Sequence, residues 1–249
     1  MPFLRRVADL AAFVGRCLLD FVFPAQCCVC GASLGEDERT VCESCWGEIP
    51  VIGDERCVRC GAPSDSETDG CSNCDWRDWS FRYVRVLAPF NELVREMVHL
   101  MKYKGKRSIG LRLGSMLAAA LRRDPRFGHV DLLVPVPLHR VRLKERGYNQ
   151  SELLAQALGE MLDKPMRTDL LARTRYTSDQ TKLDVYQRRA NVAGAFRVKD
   201  ERQIAGRDVA LVDDVLTTGA TLEACGETLF AAGARSVSVL TVASPFAEW

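Results

Sequence analysis

Hydrophobic and polar positions change texture twice along this 249-residue chain. Near the N-terminus, Leu4, Val7, Leu10, Ala11, Val14, Leu18, Phe21 and Val22 recur at helical spacing and predict an amphipathic helix within residues 1–23. Asp9, Arg16 and Asp20 interrupt it, so no run reaches the ~18 apolar residues of a membrane-spanning helix. No signal-type apolar core with a small-residue cleavage site follows. A membrane-surface helix would want more basic residues than Arg5, Arg6 and Arg16, so the expectation is a helix packed on its own protein. Residues 24–78 then hold few aliphatic side chains, too few for a core of their own.

From Trp79 the pattern becomes strands alternating with helices. Strands are expected at Phe81–Ala88, Asp131–Pro135, Ala195–Val198, Asp208–Val212 and Ser236–Val242. Helices are expected from Asn91, as N-cap, to about Tyr103, then over Ser108–Arg123, Ser151–Leu162 and Ala220–Ala232. A basic loop should follow Pro135, and a long polar stretch covers Arg173–Ala190. Such alternation predicts an α/β domain with a mainly parallel sheet, whose ligands bind beyond the carboxyl ends of the strands. Three segments result: an N-terminal helix (1–23), a cysteine module (24–78) and an α/β domain (79–249).

The overall charge of +1 excludes a histone-like or polybasic protein, but it conceals an uneven distribution. Residues 1–80 carry 7 basic and 14 acidic side chains, residues 81–190 carry 22 and 11, and residues 191–249 carry 5 and 8. A basic middle between acidic ends suits an anionic partner.

Of 11 cysteines, nine lie between Cys27 and Cys74. They include four C-x-x-C pairs: Cys27/Cys30, Cys42/Cys45, Cys57/Cys60 and Cys71/Cys74. The first and third are each followed by Gly-Ala, so a CxxCG-then-CxxC unit occurs twice. Two residues between cysteines make a tight knuckle that aims both sulfurs at one ion, and two knuckles close a tetrahedral four-thiolate structural site. Two Zn2+ ions are therefore expected, with the sequential grouping Cys27, Cys30, Cys42, Cys45 and Cys57, Cys60, Cys71, Cys74; spacing alone also permits cross-bracing. Haem attachment fails because no pair is followed by His, and a redox dithiol would not explain four pairs in tandem. An iron–sulfur cluster is the remaining alternative. Cys17, Cys28 and Cys225 fall outside the repeat. Clustered reduced thiols fit a cytoplasmic protein.

The segment Val209-Ala-Leu-Val-Asp213-Asp214-Val-Leu-Thr217-Thr218-Gly219-Ala220-Thr221 places two acids at the end of an apolar strand, before a hydroxyl-rich loop that opens a helix. Backbone N–H groups, threonine hydroxyls and a helix N-terminus suit a phosphate. The adjacent carboxylates suit sugar hydroxyls and the shell of Mg2+. Other phosphate-binding signatures, G-x-x-x-x-G-K-[ST] and a strand-linked G-x-G-x-x-G, are missing from the sequence.

This segment resembles the phosphoribosyl-pyrophosphate (PRPP) motif of type I phosphoribosyltransferases. Most of the chain, from about Pro24 to Ala243, resembles the ComF family of competence proteins. The marks are CxxCG, Leu100-Met-Lys-Tyr-Lys-Gly-Lys-Arg107, Val134-Pro-Val-Pro-Leu-His139, Arg146-Gly-Tyr-Asn-Gln150, Leu171-x-Arg173-x-x-x-Thr177-x-x-Gln180 and Arg188-x-x-Asn191-Val-x-Gly-Ala-Phe196.

The resemblance implies a type I phosphoribosyltransferase-like α/β fold, helices on both faces of the sheet, preceded by a double zinc ribbon. It implies that Asp213 and Asp214 hold ribose hydroxyls, that Thr217, Thr218, Gly219, Ala220 and Thr221 hold the 5'-phosphate, and that Asp214 is the candidate proton acceptor. The pyrophosphate would lie on Pro135, Val136, Pro137 and Arg140, with Arg142, Lys144 and Arg146 nearby, PRPP arriving with Mg2+. A lid would correspond to about Arg173–Asn191. The resemblance further implies DNA uptake in natural transformation, with single-stranded DNA and other DNA-uptake proteins as partners. Tyr83, Tyr103 and Tyr148 would offer stacking surfaces there. The chain ends soon after its last strand, leaving little material for a nucleobase hood, so the expected acceptor of any phosphoribosyl transfer stays open. A non-catalytic adaptor that binds PRPP and single-stranded DNA, or a nucleotide-salvage phosphoribosyltransferase, is the alternative.

Overall fold

The computed structural model describes residues 25–35, 38–64, 70–72, 74, 79–176 and 185–246. The expected N-terminal helix, Cys17 and the centre of the expected lid (177–184) lie outside the described residues. The chain divides into two compact units, Met1–Ile49 and Pro50–Trp249. The first holds the first cysteine repeat and helix α1 (Glu43–Gly47), which begins directly after Cys42.

The second unit contains a four-stranded sheet in the order β1-β6-β5-β2, every pair parallel. Its strands are β1 (Tyr83–Pro89), β2 (Leu132–Pro135), β5 (Asp208–Val215) and β6 (Ser236–Ser244). A separate antiparallel pair joins β3 (Leu171–Arg173) to β4 (Phe196–Val198). The helices are α2 (Glu92–Tyr103), α3 (Arg107–Leu121), α4 (Arg140–Arg146), α5 (Gln150–Leu162), α6 (Val185–Val192) and α7 (Ala220–Ala231). Among the described residues no helix is long and apolar enough to cross a membrane.

Central strands read as continuous apolar runs because both faces are covered. α3 and α5 pack on one face, α7 with the β3–β4 pair on the other. Gly114 makes the first layer tight: a methyl there would stand 2.7 Å from the Leu154 carbonyl oxygen. The expected loop after Pro135 contains helix α4, capped by the His139 side chain and closed by Gly147 in the left-handed region (φ 78°). Its apolar periodicity is short and hidden among charges, which is why the sequence reads as a loop.

The second cysteine repeat belongs to the same compact unit as the sheet and forms part of its core. Cys57, Cys60 and Cys74 share one apolar cluster with Val84, Val86, Trp79 and Phe81. Val84 donates its N–H to the Val58 carbonyl (3.1 Å), and Ile52 donates to Leu87 (2.8 Å), so the repeat satisfies the free edge of β1. A Cβ on Gly61 would meet Val86 Cγ2 at 2.8 Å.

Beneath this contact lies a buried ionic knot. Arg56, fully buried, pairs with Asp124, which also accepts from Tyr83 Oη at 2.6 Å and Arg126 Nε at 2.9 Å. Arg85 donates to the carbonyls of Gly53 (2.9 Å) and Ile52 (2.6 Å). Tyr83 therefore offers no stacking surface. At 2% exposure it belongs to the core, and burial followed by the bond to Asp124 pushes its hydroxyl pKa upward. The alternation of β1 that marks Tyr83 as a strand residue does not tell which face is covered.

Candidate phosphoribosyl site and metal centres

Each cysteine repeat gathers its four sulfurs: Cys27, Cys30, Cys42 and Cys45 in one group, Cys57, Cys60, Cys71 and Cys74 in the other, all within 4.8 Å of one another. The grouping is sequential, not cross-braced. Cys30 and Cys42 sulfurs are 3.6 Å apart and Cys27 and Cys45 3.9 Å; Cys57 to Cys74 and Cys60 to Cys71 are both 3.6 Å. Four Zn–S bonds of about 2.3 Å in a tetrahedron set sulfurs roughly 3.8 Å apart, so both groups fit zinc. The Cys42 amide approaches the Cys27 sulfur at 3.4 Å. Burial raises the Cys27 pKa, but N–H groups of Cys30, Cys42 and Val29 outweigh it and bring the thiol down to about 6, while burial and the neighbouring sulfurs push Cys45 up. Cys28 stands outside both groups.

The carboxyl end of β5 carries Asp213 and Asp214, both buried. Asp213 Oδ1 accepts from the Ser151 hydroxyl (2.9 Å) and from the Asp214 amide (2.9 Å). Burial, then the neighbouring Asp214 charge, pushes the Asp213 carboxyl up to about 7, against the opposing pull of Lys102 and Ser151. Asp214 Oδ1 accepts from the Val215 amide (3.0 Å), while Oδ2 forms an ion pair with Lys102 Nζ.

Leu216 leaves β5 tied to the Ala243 carbonyl (2.9 Å) and accepts from the Ser244 hydroxyl (2.7 Å). Thr217 and Thr218 follow, half-buried, and Gly219 turns the chain into α7 at φ 84°. The left-handed turn needs glycine, and so does the space: Trp79 Cζ2 would lie 2.8 Å from a Cβ there. Ala220 and Thr221 open α7, and the Ala220 N–H points back to the Thr218 hydroxyl (3.5 Å). Two carboxylates, hydroxyls and a helix N-terminus thus meet at one sheet end.

On the neighbouring strand, β2 ends at Pro135, and Val136 continues the ladder by donating to Val212 (2.9 Å). Pro137 follows half-buried, and Arg140 starts α4, exposed. Arg142 and Arg146 are partly buried on that helix, their guanidinium carbons 5.8 and 5.4 Å from the ring centres of Tyr176 and Tyr103. Lys144 is exposed.

Several site-forming residues escape sequence reasoning. Asn149 caps α5 and donates to the Val136 carbonyl (3.0 Å), holding the loop after β2. Tyr148 donates its hydroxyl to the Met101 carbonyl, and Arg107 stacks on its ring at 4.6 Å while donating to Gly147 (3.2 Å). The LMKYKGKR and RGYNQ segments, which the sequence does not link to each other, are thereby two halves of one clasp beside the acid pair. From β3, Arg173 also reaches this region: burial lowers its pKa, and the charges of Cys225 and Asp213 oppose that. Cys225, fully buried on α7, is raised by burial and by Asp213.

The double zinc ribbon domain family matches residues 18–75, and the phosphoribosyl transferase domain family matches residues 141–248. Together with the sheet, these define a type I phosphoribosyltransferase-like domain preceded by a double zinc ribbon. Competence protein F of Haemophilus influenzae is 29% identical over 221 residues, covering 87% of this chain and 96% of that protein. Competence protein ComFC of Bacillus subtilis is 30% identical over 216 residues, covering 84% and 85%. The chain belongs to the ComF family of competence proteins. Among solved structures it is similar to the B. subtilis glutamine PRPP amidotransferase complexed with ADP and GMP, at 23% identity and a TM-score of 0.38. That match covers 54% of this chain and about a quarter (26%) of the enzyme.

Proposed function

We propose that the α/β unit binds PRPP or a related phosphoribosyl ligand, and that this binding serves DNA uptake in the cytoplasm; relatives named as competence proteins support a competence-related role. One observation carries the reading: two buried acids at the end of β5 precede a glycine-turned threonine loop at a helix N-terminus. Asp213 and Asp214 would hold ribose hydroxyls, and Thr217–Thr221 the 5'-phosphate. Pro135–Pro137, Arg140 and Arg146 would border the pyrophosphate, where planar guanidinium groups match paired phosphate oxygens. Mg2+ binds through one or two carboxylates plus phosphate oxygens, which Asp213 and Asp214 suit; bound with the ligand, it supplies charge neutralisation. Transfer of phosphoribose, if this chain performs it, proceeds by loss of pyrophosphate at the anomeric carbon, helped by cations at the leaving group more than by a strong base. Asp214 is then the proton acceptor.

A second reading is a non-catalytic adaptor that binds PRPP and single-stranded DNA. It is favoured by three arginine–tyrosine stacks around α4: Arg146 on Tyr103, Arg107 on Tyr148 and Arg142 on Tyr176. Tyr103 is 64% and Tyr176 47% exposed, as stacking platforms for bases would be. Incubation with PRPP, Mg2+ and pools of bases, amines or DNA tests the two. Pyrophosphate release with one acceptor decides for the transferase; PRPP binding without release decides for the adaptor.

A further inference from the structure

Lys102 lies outside the phosphate loop, the acid pair and the helix after β2, yet its ammonium is paired with Asp214 Oδ2. Oδ1 is held by the Val215 N–H, whereas the buried Oδ2 has no hydrogen bond and faces the Lys102 ammonium as its ion-pair partner. The two ends of this lysine differ in freedom. Its backbone sits in the last turn of α2, next to the Met101 carbonyl that Tyr148 holds, with Arg146 stacked on Tyr103 on the other side. Its side chain is 22% exposed, against 5% for Asp214, and a four-carbon stem lets the ammonium swing about a fixed Cα.

We infer that Lys102 is an internal counter-ion that changes partner: it neutralises Asp214 in the free protein, and a ribose hydroxyl displaces it onto the pyrophosphate of the ligand. This rests on the phosphoribosyl reading of the site and adds to it a residue and a basis for choosing between ligands. A hydroxyl donating to Asp214 competes with the ammonium for one oxygen. A diphosphate on the adjacent carbon offers the displaced ammonium several anionic oxygens within the sweep of its stem. Ribose 5-phosphate carries the same hydroxyls and 5'-phosphate but no diphosphate, so it must break the pair without compensation. Lys102 therefore favours pyrophosphorylated over plain phosphoribosyl ligands.

The test is calorimetric titration of the full chain with PRPP and with ribose 5-phosphate, each with Mg2+, for wild type, Lys102→Met, Lys102→Gln and Lys102→Arg. The expected result is a fall of tenfold or more in the ratio of PRPP to ribose 5-phosphate affinity in Lys102→Met, with the ratio largely restored in Lys102→Arg. Lys102→Gln keeps a polar stem and carries the same test should the methionine variant not fold. An unchanged ratio, with both affinities lowered together, would mean that Lys102 only supports the fold, and overturns the inference alone. Wild-type protein that binds neither ligand overturns the phosphoribosyl reading and this role with it.

Discussion

The indole of Trp79 lies against Gly219 so closely that a Cβ on the glycine would stand 2.8 Å from Cζ2 and 3.1 Å from Cε2. Trp79 also packs near Phe81, ring centres 6.0 Å apart, and Phe81 in turn closes on Gly226 of α7. Trp79 and Phe81 thus form the floor under the loop that joins β5 to α7. Gly219→Ala meets both this wall and a left-handed backbone, φ 84°. A loss of about 1–3 kcal/mol in urea unfolding is expected, together with loss of PRPP affinity. Wild-type affinity in the alanine variant would show that the loop does not hold the phosphate.

Asp213 is the group whose protonation should couple folding to pH. The folded chain keeps its proton to about 7, whereas an unfolded aspartate releases it in the ordinary carboxylate range. Between these values the unfolded state binds fewer protons, so this group makes stability fall as pH rises. Asp213→Asn has no proton to lose there and should flatten that decline. Urea midpoints at pH 5 and pH 7.5 for both proteins check it; parallel declines would sink the assignment. Asp214, Lys102 and Ser151 are the charged or polar neighbours that act on this carboxyl, and Asp213 in turn acts on Cys225 and Arg173.

Ser151→Ala removes one of the two hydrogen bonds on Asp213 Oδ1 and leaves the buried carboxyl short of a donor. The expected cost is about 1–3 kcal/mol of stability. PRPP affinity should fall with it, because the carboxylate loses its fixed orientation; a calorimetric titration beside the unfolding curve separates the two effects.

The Arg56–Asp124 pair should be far costlier to break than a surface pair. Both side chains are essentially unexposed, so Arg56→Met strands a buried carboxylate with Tyr83 and Arg126, and a loss of about 3–5 kcal/mol is expected. Arg56→Met combined with Asp124→Leu should recover part of that loss. Chemical unfolding of the single and double variants measures both.

Two zinc ions per chain are expected from elemental analysis, and Cys60→Ser should reduce the count to one. Because the second repeat caps β1 and shares the sheet's core, the same variant should also lower the unfolding midpoint of the α/β unit. Cys30→Ser tests the other site by the same metal count. A Cys60→Ser protein that still holds two zinc ions would refute the grouping.

Wherever the chemistry depends on neighbours in the chain, the amino-acid order alone sufficed. C-x-x-C knuckles carry their geometry in two intervening residues, so eight metal ligands could be expected, whereas the choice of sequential grouping over cross-bracing came from the folded positions of the sulfurs. The acid pair, the glycine turn and the start of α7 are likewise contiguous, which made the end of β5 recognisable. Strands β1, β5 and β6 follow from apolar runs covered on both faces.

What only the tertiary structure decided are relations between distant positions. Ser151 reaches Asp213 across 62 residues, Tyr148 reaches Met101 across 47, and Arg56 reaches Asp124 across 68. Each joins a polar residue to a partner for which the sequence carries no local signal, since a serine, tyrosine or arginine shows its partner only when packing brings the two together. Alternation marked Tyr83 as a strand residue but not the face it occupies, and α4 was hidden among its own charges. The sequence by itself determined the local motifs and the alternation of strands and helices along the chain, because those rest on short-range geometry, while the strand order β1-β6-β5-β2 was set by long-range pairing. That the second ribbon is part of the α/β core, and that Lys102 guards Asp214, was decided by folding, because only folding brings those buried charges together.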